Sequence, residues 1–91
     1  MPLDDNDIAA RLGRLAGWQR EGDAITKEFR FPDFRAAVAF VNKVADAAER
    51  ADHHPDITIN YNRVRMTLST HSEGGLTEKD FALASQIDAA A

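Results

Sequence analysis

Apolar residues recur along the chain with two periods, and the switches between them mark out the elements. Ile8, Leu12 and Leu15 fall at i, i+4 and i+7, which predicts a short helix over Asp4 to Leu15. Acidic residues fill its first turn, where the helix dipole favours them, and Gly13 and Gly17 end it. Trp18 then opens a strand, Gly22 and Asp23 supply turn chemistry, and a return strand runs from Ala24 to Phe31. Ile25, Phe29 and Phe31 share one face of that strand, with Lys27 the exception on it.

Pro32 stops the hairpin and Asp33 is a good N-cap for a helix from Phe34 to about Arg50. Phe34, Val38, Val41, Ala45 and Ala48 make one stripe, widened by Ala37, Phe40 and Val44, broad enough to lie flat on a sheet. A second hairpin follows. Ile57, Ile59 and Tyr61 alternate with polar residues, and so do Val64, Met66 and Leu68, with a turn near Asn62. Thr77 caps a last helix over Glu78 to about Ala90, with Phe81, Leu83, Ala84 and Ile87 as its apolar side. Trp18 and Tyr61 are expected to pack on the sheet and Phe40 in the core. The order α-β-β-α-β-β-α predicts one α+β domain over residues 1–91, a four-stranded antiparallel sheet with helices packed on one face.

Composition fits that picture, with 44% hydrophobic and 29% charged residues. A chain this short buries only about 60–65% of its unfolded surface, so self-association is a plausible source of further stability. The net charge of −4, with no run of Lys or Arg, argues against nucleic acid and an anionic membrane surface as partners. There is no cysteine, which removes disulfides, thiolate catalysis and Cys-ligated zinc. No signal-peptide pattern opens the sequence and no apolar run approaches the ~20 residues of a membrane span, so the cytoplasm is the expected location.

The three histidines are the most informative chemistry. His53 and His54 lie between a long helix and Pro55, and the proline biases His54 to extended geometry. Both therefore sit in a loop leading into a strand, a common setting for active groups. His71 follows the last strand. If that strand runs straight, His71 points with Arg65, Thr67 and Ser69, away from the apolar face. Sequence alone does not bring positions 53, 54 and 71 together, and inert histidines remain an open reading. If they converge, imidazoles that titrate near neutral pH offer an acid and a base in one pocket. No nucleophile-elbow motif or Ser–His pairing is visible, and adjacent residues in extended chain point apart, which makes His53 and His54 awkward co-ligands; no metal site is expected. Asp80 sits three positions after Thr77, as in a capping box with Asp in place of Glu, so a structural role is open for it. Glu49 reads as a solvated charge.

These residues carry a resemblance. Glu49, Asp52, His53, His54 and Pro55, followed by Tyr61, His71 and Asp80, resemble the pterin-4a-carbinolamine dehydratase family in residue type and spacing. Three residues lie between Glu49 and His53, five between Pro55 and Tyr61, nine between Tyr61 and His71, and eight between His71 and Asp80. The runs Thr67 to His71 and Gly75 to Asp80, the Gly17-Trp18 pair and the Phe29 to Phe40 stretch also look like the family. The family often carries an aromatic two residues after the proline, where this chain has Ile57, a change that bears on the pocket wall and on preference among pterin side chains.

The resemblance implies the α-β-β-α-β-β-α fold and a homodimer, in some members paired into a homotetramer. It implies removal of water from 4a-hydroxytetrahydropterin to give quinonoid dihydropterin, the product recycled after aromatic amino-acid hydroxylation. By the family's assignment His53 and His71 carry acid–base work, and His54 positions the pterin and shares the base role. Asp80 supports the histidines, Ser69 and Thr70 line the site beside His71, and Asp52 lines it beside His53. No cofactor is implied. Two alternatives share these residues: a non-enzymatic interaction module, as in animal members that act as coactivators, and a role on a molybdopterin-type pterin.

Overall fold

The computed structural model describes all 91 residues. Helix α1, Asp5–Leu12, starts where the Asp4 side chain accepts the Asp7 N–H at 2.8 Å. It stops earlier than the apolar spacing predicts. Gly13 takes the C-cap position, so Leu15 lies beyond the helix and packs on the core from the following turn. Strands β1, Gln19–Glu21, and β2, Ala24–Arg30, form the first hairpin around a positive-φ Gly22.

Helix α2, Phe34–Ala51, is capped by Asp33, whose side chain accepts the Ala36 N–H at 2.8 Å. Its buried side is Ala37, Phe40, Val44, Ala47 and Ala48. The expected stripe is therefore rotated. Phe34 is 50% exposed and Ala45 also faces out, because the sheet meets the flank formed by the widening residues rather than the stripe's axis. Strands β3, Asp56–Asn60, and β4, Arg63–Leu68, form the second hairpin. A 3-10 turn over His71–Glu73 and helix α3, Glu78–Ala90, complete the chain.

The sheet is antiparallel throughout with order β1-β2-β4-β3. Ile25 and Phe29 of β2 stand opposite Leu68 and Val64 of β4, and these apolar rows lie under α2 and α3. The core comprises those residues with Met66, Leu76, Leu83, Ile87 and the α2 face. Phe40 stacks on Phe29 and Phe31 with ring centroids 4.8 and 4.9 Å apart. Lys27 shares the core-side face of β2 by snorkelling: its Nζ lies 4.8 Å from the Phe29 ring and donates to Ala16 O and Asp88 Oδ1. Trp18 is buried just before β1, with its indole N–H donated to the Asp88 carboxylate.

The second hairpin departs from expectation in three ways. Ile57 and Ile59 are 37% and 39% exposed, because β3 is an edge strand that the helices do not reach. Tyr61 does not pack on the sheet. It occupies the hairpin turn with φ 54° and is 63% exposed. Strand β4 ends at Leu68, so His71 stands in the 3-10 turn and strand parity does not set its direction. No helix is long and apolar enough to cross a membrane.

Candidate active site

Three separate stretches of chain build the polar site. The first is the end of α2. Asp52 adopts a left-handed conformation, φ 49°, tolerable for a short polar side chain, and the chain folds back so that the His53 N–H reaches Ala48 O at 3.1 Å. That hydrogen-bonded reversal aims His53 inward and leaves Asp52 exposed. The second stretch is the loop after β4, where Thr70 and Gly75 exchange two backbone hydrogen bonds and close a tight loop carrying His71. The third is the first turn of α3.

Asp80 joins them. It is fully buried, and its two oxygens meet three donors. Oδ2 accepts the Thr77 N–H at 3.0 Å and the Thr70 hydroxyl at 2.8 Å, and Oδ1 lies 2.6 Å from His53 Nε2. The Thr77 hydroxyl is 3.3 Å from the Lys79 N–H. The capping box is thus present, and the same carboxylate also holds an imidazole. No buried side-chain polar atom is left without a partner. An acceptor-only carboxylate on Nε2 puts the ring proton there and leaves the Nδ1 lone pair as the free basic position. The His53 side chain is 11% exposed.

His54 turns outward and lies 2.5 Å from Glu49 Oε2, a pair in which both partners are exposed. Glu49 is a solvated surface charge, as expected, and its neighbour there is His54. His71 is exposed on an open concavity of about 360 Å³, lined also by Asp23, Ala24, Asp56, Thr67, Ser69, Gly74 and Gly75. His53 and His54 are not on that lining; the connection between His53 and His71 runs through Asp80 and Thr70. Ser69 lines the concavity and donates its hydroxyl to Asp23 O at 2.7 Å. Thr70 is buried behind it. Asp56 is a lining residue that the family resemblance did not include. It stands opposite Thr67 across the hairpin, and hairpin register with Thr67 and Ser69 was the signal that could have found it. A second concavity, of about 440 Å³, lies against Met1, Leu3, Glu73, Thr77, Glu78 and Lys79 and holds no histidine. The Met1 ammonium there sits 2.5 Å from Glu73 and holds that carboxyl below the usual glutamate range. The histidines and acids do not assemble a cluster of three that could hold a metal ion.

A family model for pterin 4 alpha carbinolamine dehydratase matches residues 1–90. The chain belongs to the pterin-4a-carbinolamine dehydratase family. Among the dehydratase relatives, a Thermomicrobium roseum protein provisionally named as a pterin-4-alpha-carbinolamine dehydratase is 55% identical over 93% of this chain and 91% of its own. A Sulfolobus acidocaldarius protein with the same provisional name is 51% identical over 97% of both chains. The crystal structure of a Brucella melitensis transcriptional coactivator/pterin dehydratase superposes with a TM-score of 0.96 at 42% identity, covering 100% of this chain and 99% of that one. A pterin dehydratase-like protein described as a RuBisCO assembly factor in the alpha-carboxysome is similar with a TM-score of 0.66 at 27% identity, covering 80% and 84%.

Proposed function

We propose that this chain removes water from 4a-hydroxytetrahydropterin by histidine general acid–base catalysis, in the recycling of the tetrahydropterin. The observation that carries the reading is the 2.6 Å pairing of His53 with a fully buried Asp80, which also accepts from Thr70, the residue before His71. A carbinolamine bears its hydroxyl on C4a and a proton on the neighbouring N5. One imidazolium gives a proton to the hydroxyl as the C4a–O bond breaks. The N5 lone pair closes the C4a–N5 double bond, and a second, neutral imidazole takes the N5 proton. Water and quinonoid dihydropterin leave, and the two rings re-equilibrate their protons with solvent. Each aligned group contributes typically 10²–10⁴-fold.

In this reading His53 and His71 exchange the protons, and Asp80 orients His53. His54 positions the pterin and shares the base role. Ser69 contacts the substrate beside His71, as does Asp52 beside His53. The protein acts as one domain in the cytoplasm and as a homodimer or homotetramer. Exposed Ile57 and Ile59 on the edge strand support the self-association.

The test is the rate of dehydration of carbinolamine generated in situ, measured for wild type and for His53→Ala with His71→Ala. The uncatalysed reaction is run alongside, because the compound loses water unaided. Acceleration by wild type that is lost in the folded double variant supports the reading. A wild-type rate equal to the blank refutes it and favours a second reading, a role in protein assembly. The similarity to the pterin dehydratase-like RuBisCO assembly factor is the observation in its favour.

A further inference from the structure

The Thr70 hydroxyl faces away from the concavity, and its proton bookkeeping has one solution. It lies 2.8 Å from Asp80 Oδ2 and 2.8 Å from Thr77 Oγ1. With three donors aimed at it, Asp80 serves only as an acceptor, so the single Thr70 proton goes to Asp80. Thr70 Oγ1 must then accept from the Thr77 hydroxyl, which itself accepts from the Lys79 N–H at 3.3 Å. The polarity runs one way: Lys79 N–H to Thr77, Thr77 to Thr70, Thr70 to Asp80. Oδ2 is filled by Thr70 and Thr77, which leaves Oδ1 to His53.

The backbone of the same residue anchors the other histidine. Thr70 N–H donates to Gly75 O at 3.2 Å, and Thr70 O accepts from Gly75 N at 3.3 Å and from Glu73 N at 3.0 Å. His71 is the next residue along. We infer that Thr70 is a positioning residue that couples the two histidines: its hydroxyl fixes the Asp80 oxygen offered to His53, while its backbone fixes the loop that presents His71. The side-chain role is distinct from contact with substrate, since Thr70 is buried with its hydroxyl already engaged on both sides. The kinetic part of the test rests on the proposed dehydratase reading, and the spectroscopic part does not.

The experiment compares wild type, Thr70→Val and Thr70→Ser by nitrogen-15 NMR of the histidine rings in free protein, and by kcat and KM for carbinolamine dehydration. Thr70→Val is expected to shift the His53 Nε2–H resonance or expose it to rapid exchange, and to lower kcat about 10–100-fold with KM within about threefold. Thr70→Ser is expected to restore both. A Thr70→Val protein with an unchanged His53 resonance and only a raised KM overturns the inference in favour of a lining role, and so does a folded Thr70→Ser protein that loses the signal. If Thr70→Val does not fold, Thr70→Ala is read by the same criteria. If wild type shows no activity above the blank, the dehydratase reading fails while the His53 resonance still decides the coupling.

Discussion

Replacing Asp80 with asparagine keeps the shape of the buried side chain but removes its charge and its ability to accept on both sides. The amide has one acceptor oxygen and one donor nitrogen. Its oxygen belongs at the Oδ2 position, because the Thr77 N–H and Thr70 hydroxyl both donate there and an NH2 group would face two donors. The amide nitrogen then meets His53 Nε2, which has to become an acceptor, and the ring proton moves to Nδ1. Two hydrogen bonds survive with a neutral acceptor in place of a charged one, and the third reverses. Bonds to charged groups contribute about 1.5–3 kcal/mol and neutral ones about 0.5–1.5, so Asp80→Asn should cost about 1–3 kcal/mol. A loss of 1 kcal/mol lowers Tm by roughly 4–8 °C for a domain of this size. The protein should therefore still fold near room temperature. Its Nδ1 lone pair is gone, and the dehydration rate above the blank should fall about 10²–10⁴-fold. Calorimetry, nitrogen-15 shifts of the His53 ring and stopped-flow dehydration report the three consequences separately. A variant whose ring carries its proton on Nδ1 while the rate stays within a few-fold of wild type would falsify the assignment of His53 as a proton-transfer group held by Asp80.

Four further outcomes are expected. Asp88→Ala leaves the buried Trp18 N–H without its acceptor and removes one of the two acceptors of Lys27 Nζ, so urea unfolding followed by the fluorescence of this lone tryptophan should show a loss of about 1–3 kcal/mol. Glu49→Ala breaks an exposed pair with His54 and should change stability by less than about 1 kcal/mol, whereas Leu83→Ala in the core should cost about 2–5 kcal/mol in the same assay. Ile57→Lys with Ile59→Lys should leave the monomer folded by circular dichroism yet abolish any dimer in sedimentation; a dimer that persists places the interface elsewhere. Glu73, whose carboxyl the Met1 ammonium holds low, adds stability in full above the ordinary glutamate range, and that contribution fades as pH falls through its lowered folded-state value. Carbon-13 titration of the Glu73 carboxyl should therefore move upward when the amine is acetylated.

Local signals in the sequence were easy to read. Asp33 and Thr77 announce their helices through side-chain caps a few residues away, and alternation in β2 and β4 survives because both strands are central and covered on one face. Errors arose where the outcome depends on what lies opposite. The α2 stripe could be drawn around Phe34 and Ala45 or around Ala37 and Phe40, since alanine contributes little to either, and only the packed sheet decides. Ile57 and Ile59 alternate as a half-buried strand would, but position at the sheet edge is a property of the whole topology. Tyr61 read as a strand residue because apolar alternation carries no record of the positive φ in its turn. For the site, residue types and spacing pointed to His53, His71 and Asp80. The inward turn of Thr70 and the outward turn of His54 follow from loop geometry that no local pattern encodes.

The strand order has a consequence for how the molecule assembles. Each hairpin pairs neighbours in the chain, but the pairing that makes one sheet of them sets Arg30 opposite Arg63 and Ile25 opposite Leu68, with α2 and β3 enclosed in the loop between. Closing that loop costs entropy before any contact repays it, so β2 meeting β4 is the natural slow step of folding. His53 lies inside that loop, while Thr70 and Asp80 follow it. Asp80 can meet its Thr70 and Thr77 donors locally, but His53 reaches it from the end of α2, which makes the His53–Asp80 contact a reporter of the docking of α2 against α3 rather than of local structure.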